Sequence, residues 1–436
     1  MLLSAPHRSA VLWDEIVTTG HLAHPEARLP PVKPIVQPAP YPVPPTHSLT
    51  DRIKLCANAL GFDPVGITRA RPPDHGAAFK TWIDQGHAGE MAYLTRDPSR
   101  RLDPRSVFPE AQSLIVVAMN YHNETVTPEW ISSANGVIAQ YARGLDYHDI
   151  LKEKLETLAA FVRSQVDEPV KTRVYVDTGP LLERDYATAA GLGWYGKHTN
   201  LIHKKQGSWL LLGELLIDLV LEYDRPATSH CGSCTRCIDA CPTAAILKPY
   251  VVDSRRCLSY LTIELKGAIP EEYREAIGNH IFGCDICQDV CPWNRKAPFS
   301  SEDSFDSRPW TDTPPLAAFL RWTHEEFRHK FKGSPIKRAK RRGFLRNVAV
   351  ALGNSGDQTA VSPLIEALLD EEPLVRSHAA WALGRLGGEA ARRALEQVST
   401  TETDTEARHE ILQALIHLSG AEVAPTPDAK TLPVSN

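Results

Sequence analysis

The stretch Cys231-Gly-Ser-Cys234-Thr-Arg-Cys237-Ile-Asp-Ala-Cys241-Pro242 decides the fold of the middle of this chain. Its spacing, C-x2-C-x2-C-x3-C-P, is that of bacterial ferredoxins, in which the first three thiolates hold one [4Fe–4S] cluster and the fourth serves a neighbouring cluster. A second run with similar spacing follows at Cys284-x2-Cys287-x3-Cys291-Pro292. It lacks one ligand, and Cys257 is the clustered cysteine left to supply it. The sequence therefore predicts two clusters.

The eight clustered cysteines divide into two predicted ligand sets. The alternative is a pair of structural zinc sites with four cysteines each, but the ferredoxin spacing with Cys-Pro occurs twice and favours clusters. A disulfide framework is not expected, because such close clustering is typical of metal ligation. We assign Cys231, Cys234, Cys237 and Cys291 to the first cluster, and Cys241, Cys257, Cys284 and Cys287 to the second.

The composition is that of a globular protein. The chain has 436 residues, of which 42% are hydrophobic, and a net charge of −5 from 48 Lys plus Arg against 53 Asp plus Glu. This balance excludes a protein that is basic over its whole surface, although a local basic patch remains compatible with nucleic-acid binding. Neither a membrane-length apolar run nor a secretory signal is recognised, so we expect a cytoplasmic protein without membrane contact.

Hydrophobic patterns outside the cysteine region predict alternating strands and helices. The apolar run 114–119 is typical of a strand covered on both faces, and apolar residues recur at helical spacing from Leu151 to Val162. This alternation predicts an α/β domain. We expect a disordered proline-rich extension at 1–48, the α/β catalytic domain at 49–225, the two-cluster ferredoxin-like module at 226–298, a basic linker at 299–340, HEAT-like repeats at 341–420 and a disordered tail at 421–436.

An internal repeat marks the C-terminal region. Residues 348–353 (Val-Ala-Val-Ala-Leu-Gly) match residues 379–384 (Ala-Ala-Trp-Ala-Leu-Gly) at an offset of about 31 positions. Each unit is an apolar helix that ends near glycine, as in short all-α HEAT-like helix pairs. Two or three such units cannot form a long solenoid, so we expect an appendage on the main body.

A glycine pattern at 191–196 satisfies G-x-G-x-x-G but is not expected to bind a dinucleotide. The dinucleotide motif follows a strand and opens a helix, whereas this one follows a predicted helix at 181–190. We expect the glycines to end that helix or to let the backbone approach a large planar ligand.

The order of motifs resembles the epoxyqueuosine reductase family. The resemblance covers about residues 49–420 and rests on the cysteine run at 231–241 together with four further strings. These are Val176-Asp-Thr-Gly-Pro180, Ala190-Gly-Leu-Gly-Trp-Tyr-Gly-Lys197, Arg256-Cys-Leu-Ser-Tyr260 and Gly283-Cys-Asp-Ile-Cys287.

The resemblance implies an oxidoreductase that binds cobalamin and two [4Fe–4S] clusters. It implies reduction of the epoxide of epoxyqueuosine at the tRNA wobble position to queuosine, the last step of queuosine biosynthesis, by cob(I)alamin fed from the clusters. The α/β domain would bind cobalamin against the cluster module. Expected partners are the tRNA and an electron donor such as a flavodoxin or ferredoxin, and a monomer is expected.

Two aspartates compete as proton donors in this reaction. Asp177 matches the family's proposed donor in Val-Asp-Thr, and helix N-capping is its alternative role. Asp146 also lies in a family motif, and capping of the next helix is a stronger rival there. We expect burial against an apolar corrin face to raise the pKa of Asp177.

Further positions are implied by the resemblance alone. The expected cobalamin contacts are Arg101, Asp177, Lys197, Leu201, Ser259, Asp285 and Ile286. The expected tRNA contacts combine two family positions with a local basic run, which is otherwise a solvated face; they are Lys266, Lys337, Arg338, Lys340, Arg341, Arg342 and Arg346.

Two other functions fit parts of the pattern. A reductive dehalogenase would share cobalamin and both clusters, but the twin-arginine export signal expected of it is not recognised and the repeats would be unexplained. A two-cluster electron-transfer protein with a docking repeat and no chemistry of its own is the third reading. Cys56 has no assigned role in any of them.

Overall fold

The first described helix starts at Leu49, where the sequence predicts that the fold begins. Ser48 caps it, because its side chain accepts the backbone N–H of Asp51. The structure is a computed structural model and describes residues 47–123, 134–308, 310–312 and 314–420. Nearly all of the extension expected at 1–48, and the tail expected at 421–436, lie outside the described residues.

The elements follow one another in an irregular alternation of helices and strands. The helices in the described residues are α1 Leu49–Ala59, α2 Gly76–Asp84, α3 Ala92–Thr95, α4 Tyr147–Ser164, α5 Glu183–Ala189, α6 Arg236–Asp239, α7 Leu258–Ile263, α8 Glu271–Ile277, α9 Ile286–Asp289, α10 Leu316–Phe319, α11 His324–Lys330, α12 Lys340–Ser355, α13 Val361–Ala367, α14 Pro373–Leu386, α15 Glu389–Ser399 and α16 Thr405–Ser419. The strands are β1 Val65–Arg69, β2 Ser113–Asn120, β3 Val137–Ile138, β4 Thr172–Tyr175, β5 Trp194–Tyr195, β6 Leu201–Ile202, β7 Leu210–Ile217, β8 Ile246–Lys248, β9 Val251–Val252 and β10 His280–Phe282.

The N-terminal domain is built on a four-stranded sheet of order β1-β2-β7-β4. Helices α1 and α4 share an apolar core with one face of the sheet, and α5 shares another core with residues such as Leu114 and Val116. The predicted alternation and the buried strand are confirmed. However, all three ladders are antiparallel, which corrects the α/β expectation for this sheet. An apolar strand covered on both faces has the same pattern in either orientation.

The glycine pattern does what its position predicts. Gly191 follows α5 with a φ of +79° and ends that helix. A Cβ at Gly193 would lie 2.3 Å from the carbonyl oxygen of Ile202, so β5 and β6 meet only because this residue is glycine.

The C-terminal helices form one core with the cluster module. Phe282 of that module and Leu345 and Val348 of α12 belong to the same buried cluster. The expectation of an appendage is therefore wrong, because α12 is buried on nearly every side. The segment expected to be a basic linker is also folded, since the Phe327 and Phe331 rings pack at steep angles against the Phe344 ring.

The repeat sets how α12, α14 and α16 pack. A Cβ at Gly353 would lie 2.8 Å from the Trp381 ring, and one at Gly384 would lie 2.9 Å from the Cβ of Ala414. The repeated glycines thus let successive helices approach closely. Along the described parts of the chain, no helix combines the length and the apolar character needed to cross a bilayer.

Candidate functional site

The cysteines meet in two groups of four, as the spacing predicts. Burial raises the pKa of Cys237 to about 11, and the charges of Cys291, Cys231 and Cys234 add to that rise. Burial also raises the pKa of Cys284, where Cys257 and Cys241 contribute, and that of Cys287, where Cys284 and Cys257 contribute. The thiols that influence each other are those assigned to each cluster. Cys237 also influences Cys287, so the two groups are adjacent.

The donor chemistry of both groups fits iron–sulfur clusters. All eight are free cysteines, which rules out disulfides between them. In the described part of the chain, no three His, Cys, Asp or Glu side chains are placed to hold a single metal ion. A cubane spreads its four thiolates over four irons and does not need such close ligands.

A recess opens between the second cysteine group and the sheet. The empty space within it, together with open solvent at its mouth, is about 1550 Å³. Its apolar lining comes from Leu201, from residues 210–212 of β7 and from Leu258. All four cysteines of the second group also line it. The recess therefore has an apolar wall beside one cluster site, which fits a large ligand that exchanges electrons with that cluster.

The structure brings five of the seven expected cobalamin contacts into this recess. They are Asp177, Leu201, Ser259, Asp285 and Ile286.

Arg101 and Lys197 are not among the lining residues, and their cobalamin contacts stay predictions. Arg101 is buried and donates hydrogen bonds to the carbonyls of Gly179 and Leu181, so it braces the turn after Asp177. The Nζ atom of Lys197 donates to the carbonyls of Gly232 (2.7 Å) and Cys234 (2.9 Å). It therefore holds the loop of the first cysteine group rather than a ligand in the recess.

Asp177 lies just after β4, at the rim of the recess, in a backbone conformation that few residues adopt. Its φ is +54°, and its N–H donates to Glu183 Oε1 at 2.6 Å. Its Oδ2 accepts a hydrogen bond from the Tyr147 hydroxyl at 2.8 Å and lies 3.3 Å from His148 Nε2. Its side chain keeps 43% exposure. Asp177 does not cap α5, whose N-cap residue is Leu182.

The electrostatics around Asp177 correct the expectation of a raised pKa. Burial by itself would raise that pKa, but the hydrogen bond from Tyr147 and the charges of His148 and Arg338 outweigh it. The pKa of Asp177 falls to about 2. The carboxylate is therefore ionised at neutral pH and must obtain a proton before it donates one.

His148 is the functional residue that the sequence reasoning missed. Its Nδ1 atom lies 2.8 Å from Asp146 Oδ1, and its Nε2 atom faces Asp177. Burial lowers the pKa of His148, but the hydrogen bonds and charges of both aspartates raise it to about 9. The imidazole is thus protonated at neutral pH. The sequence feature that could have identified His148 is its position two residues after Asp146, in the motif at 143–148.

Asp146 caps a helix, as its alternative role predicts, and also contacts His148. It caps α4 by accepting the N–H of His148, and the same oxygen orients the His148 ring. Its own pKa is lowered, because hydrogen bonding to His148 outweighs burial. Asp146 acts on the site through His148.

A second recess adjoins the first and shares Tyr141 and Tyr147 with it. It encloses about 1180 Å³, counted to its open mouth. The cations Lys152, Lys337 and Arg338 line it together with His148, so this recess suits a ligand that carries phosphate.

The expected tRNA contacts divide into exposed and buried groups. Arg346 is fully buried, and its guanidinium donates to the carbonyls of Leu261 and Leu265. Arg341 is buried in an ion pair with Asp370. Both expectations are therefore wrong, since these arginines have no donors to offer a phosphate. Arg342 is half-buried, and the exposed candidates are Lys266, Lys337, Arg338 and Lys340.

Comparisons with known proteins point to one family. A family model described as "Epoxyqueuosine reductase QueG, DUF1730" matches residues 101–178. Models for a 4Fe-4S double cluster binding domain and for HEAT repeats match residues 230–294 and 339–416. The epoxyqueuosine reductase of Xanthomonas campestris pv. campestris is 42% identical over 340 residues, which cover 77% of this chain and 96% of that protein.

Solved structures give the same result. A crystal structure of epoxyqueuosine reductase with an epoxyqueuosine-modified tRNA-Tyr stem loop matches with a TM-score of 0.80 and 33% identity. A structure of the Bacillus subtilis enzyme, with its catalytic aspartate loop swung out of the active site, matches with a TM-score of 0.79 and 32% identity. Each match covers 85% of this chain and 99% of the other.

Proposed function

The chain belongs to the epoxyqueuosine reductase family, and we propose that it reduces the epoxide of epoxyqueuosine in tRNA to queuosine. The observation that carries this function is the recess that Asp177, an apolar wall and the second cysteine group line together. Such a site joins a source of electrons to a source of protons, and the reduction consumes both. A dehalogenase would not need the cationic second recess, and an electron-transfer protein would need neither recess.

The residues fit the cofactors of this reaction. Two groups of four thiols suit two [4Fe–4S] clusters, and the larger recess suits cobalamin, with Leu201, Ser259, Asp285 and Ile286 around it. When bound, the clusters supply single electrons at low potential and cobalamin supplies a strong nucleophile. Lys197 and Arg101 contribute indirectly, by fixing the cysteine loop and the turn beside Asp177.

His148 and Asp177 together supply a proton to the leaving oxygen. His148 holds the proton on Nε2, and Asp177 Oδ2, 3.3 Å away, passes it into the recess. Asp146 keeps the imidazole in the required orientation from the other side. Because the pKa of His148 is about 9 and that of Asp177 about 2, the resting pair is an imidazolium beside a carboxylate.

The smaller recess receives the modified nucleoside, and the exposed cations guide its phosphates. Lys152, Lys337 and Arg338 line this recess, while Lys340 and Lys266 are exposed. A nucleoside inserted here reaches Tyr141 and Tyr147, which also line the larger recess beside Asp177. Proteins usually recognise unstacked bases in RNA loops with a pocket for the base and with contacts to the phosphates.

Electrons would come from a carrier such as a flavodoxin or ferredoxin. A shallow groove beside α6 and α9, which carry Cys237 and Cys287, is lined by Arg236 and Arg295 together with Asp239 and Asp289. It is the surface beside the cysteines where a carrier would dock. We place the enzyme in the cytoplasm, where its tRNA substrate is found, and as a monomer.

The test is an anaerobic assay of the reconstituted chain with cobalamin, a strong reductant and an epoxyqueuosine-containing anticodon stem–loop. Mass spectrometry of the digested RNA should show loss of one oxygen atom from the modified nucleoside. A stem–loop that already carries queuosine is the control and should stay unchanged. Full cluster and cobalamin content with no oxygen loss would reject the proposed function.

A further inference from the structure

A carboxyl group lies in the middle of the sheet, where no cation neutralises it. Glu214 is on β7, paired with Val116 of β2 and Tyr175 of β4, and it is completely buried. Neither of its carboxyl oxygens has a hydrogen-bond donor among the described residues. An ionised carboxylate in such surroundings is strongly disfavoured, so Glu214 must carry a proton.

Its neighbour is a second carboxyl group, Glu183 at the start of α5. The two carboxyl groups influence each other's pKa, so they lie close together. Glu183 lines the larger recess and accepts the N–H of Asp177 at 2.6 Å. The pair thus connects the buried sheet to the turn that carries Asp177.

Few charges face this pair. Arg184 on α5 and Arg101 influence Glu183, while Asp177 repels both carboxylates and Tyr186 on α5 lies near Glu214. Arg101 is already bonded to backbone carbonyls. Burial raises the pKa of Glu183 to about 7 and the charge of Asp177 adds to that rise, against the opposing effects of the Asp177 N–H, Glu214 and Arg184. Burial and the charge of Glu183 raise the pKa of Glu214 well above its ordinary value.

We propose that Glu183, which lies beside the protonated Glu214, supplies the second proton of the reduction. This inference rests on the proposed function. In that reaction both C–O bonds of the epoxide break, the two carbon atoms take two electrons and form a double bond, and the oxygen takes two protons and leaves as water. His148 and Asp177 account for one proton. Glu183 accepts the N–H of Asp177, lines the same recess and carries a proton near neutral pH.

A purely structural role for Glu183 predicts something different. Its contact to Asp177 uses a carboxyl oxygen as acceptor, and the amide oxygen of Glu183→Gln can accept the same N–H. That variant keeps the turn and removes the proton. Glu222→Gln, at an exposed position shortly after β7, is the matched control.

The first measurement needs no cofactor chemistry. Infrared difference spectra of the holoenzyme, with glutamate side chains labelled with carbon-13, should show two protonated carboxyl bands from this pair. One should titrate near pH 7 and vanish in Glu183→Gln, and the other should persist to higher pH and vanish in Glu214→Gln. Spectra of Glu183→Gln and Glu214→Gln that match the wild type would overturn the proposal.

The second measurement is the pH profile of turnover. Wild-type turnover should fall as pH rises through about 7, because Glu183 loses its proton there. In Glu183→Gln this step should be absent. Turnover at neutral pH should fall by about two orders of magnitude, because general-acid catalysis typically contributes a rate factor of that size. The Kd of the stem–loop should stay unchanged.

The outcomes separate the two proposals. If the wild type does not turn over at all, the proposed function fails, whereas the infrared bands still report on the pair. If the wild type is active and Glu183→Gln matches it in rate and pH profile, only the second-proton role of Glu183 is rejected. Glu222→Gln should behave as wild type in both measurements.

Discussion

In the proposed mechanism, the acid chemistry of the site depends on His148 more than on the aspartates at its two sides. Each aspartate is ionised at neutral pH, and each raises the pKa of the imidazole between them. A pKa of about 9 for His148 means that the proton needed by the reaction is stored on nitrogen. Asp177 is then the group that delivers it, because it lies at the rim of the recess.

Replacing Asp177 with Asn should stop proton delivery and preserve binding. The amide keeps the shape of the side chain but cannot pass on a proton, so turnover should fall by about 10²–10⁴. Iron content, cobalamin binding and stem–loop affinity should be those of the wild type. Asp167→Asn, at an exposed position after α4, is the control. Normal turnover in Asp177→Asn would show that another residue donates the proton.

Replacing His148 with Gln should remove a step from the pH profile. As pH rises through about 9, the wild-type imidazole loses its proton and turnover should fall. His148→Gln has no such group, so its residual turnover, lower by about 10² or more, should not change across that range. His409→Gln, on the exposed side of α16, should retain the wild-type profile. A step near pH 9 that persists in His148→Gln would assign it to another residue.

Replacing Cys257 with Ala should remove one cluster and keep the other. Cys257 belongs with Cys241 and Cys284, and it does not contribute to the group around Cys237. The wild type should bind about eight irons, and the variant about four. Cys56→Ala is the control, because that buried thiol lies in the core of the sheet domain. Eight irons in Cys257→Ala would show that the ligand sets are wrong.

The residues that could be predicted from sequence are those whose chemistry follows from spacing. The cysteine groups need only the distances along the chain, and the structure assembles them as expected. Arg346 and Lys197 could not be assigned in this way, because burial decides whether their donors face carbonyls or a ligand. The pKa of Asp177 could not be predicted either, because it depends on Tyr147, His148 and Arg338, which only folding brings next to it.

At the scale of elements, the basic run at the start of α12 contains both exposed and buried cations, although the sequence does not distinguish them. Lys340 is exposed at its first residue, whereas Arg341 at the next position is buried in an ion pair with Asp370. Helical geometry turns neighbouring positions about 100° apart, so one residue meets solvent and the next meets the core. Only the exposed cations can contact tRNA.

Neutralising the exposed lysines should weaken the salt dependence of tRNA binding. In Lys337→Gln/Lys340→Gln, each lost phosphate contact should reduce the slope of log Kd against log salt by roughly 0.7–0.9. Turnover at saturating RNA should stay close to that of the wild type. Lys171→Gln removes an exposed lysine outside both recesses and is the control. An unchanged slope in the double variant would make this run an ordinary solvated surface.

Arg341→Gln provides the contrast within the same run. It leaves Asp370 buried without its partner, which typically costs about 3–5 kcal/mol. It should lower the Tm while the salt slope stays unchanged. A smaller slope in this variant would indicate that Arg341 does reach the RNA.

At the scale of the whole molecule, the repeat helices and the cluster module depend on each other. The repeat could be predicted from its period and its glycines, but its attachment could not, because the polar residues Arg341, Arg346 and Asn347 of α12 are buried together with its apolar ones. The apolar residues of α12 lie inside a core. Here that core also contains Leu258, Ile281 and Phe282, from the two sides of the second cysteine group.

Truncating the chain at Arg341 should therefore disrupt the clusters and not only RNA binding. The truncation removes Phe344, Leu345, Val348, Val350 and Leu352, all fully or nearly fully buried. At about 1.5–3 kcal/mol for each large apolar side chain, the loss is roughly 7–15 kcal/mol. That equals the whole stability of a typical domain, about 5–15 kcal/mol. The truncated chain should lose iron and its cooperative thermal transition.

A truncation after Gly420 tests whether the effect comes from this shared core. It removes only residues beyond α16 and leaves the common apolar cluster intact, so iron content and Tm should match the full chain. If the chain truncated at Arg341 also kept about eight irons and the same Tm, the repeats would be a separate appendage after all. Because α12 contacts β10, α7 and α8 directly, we expect the cluster module and the repeats to unfold together in a single transition.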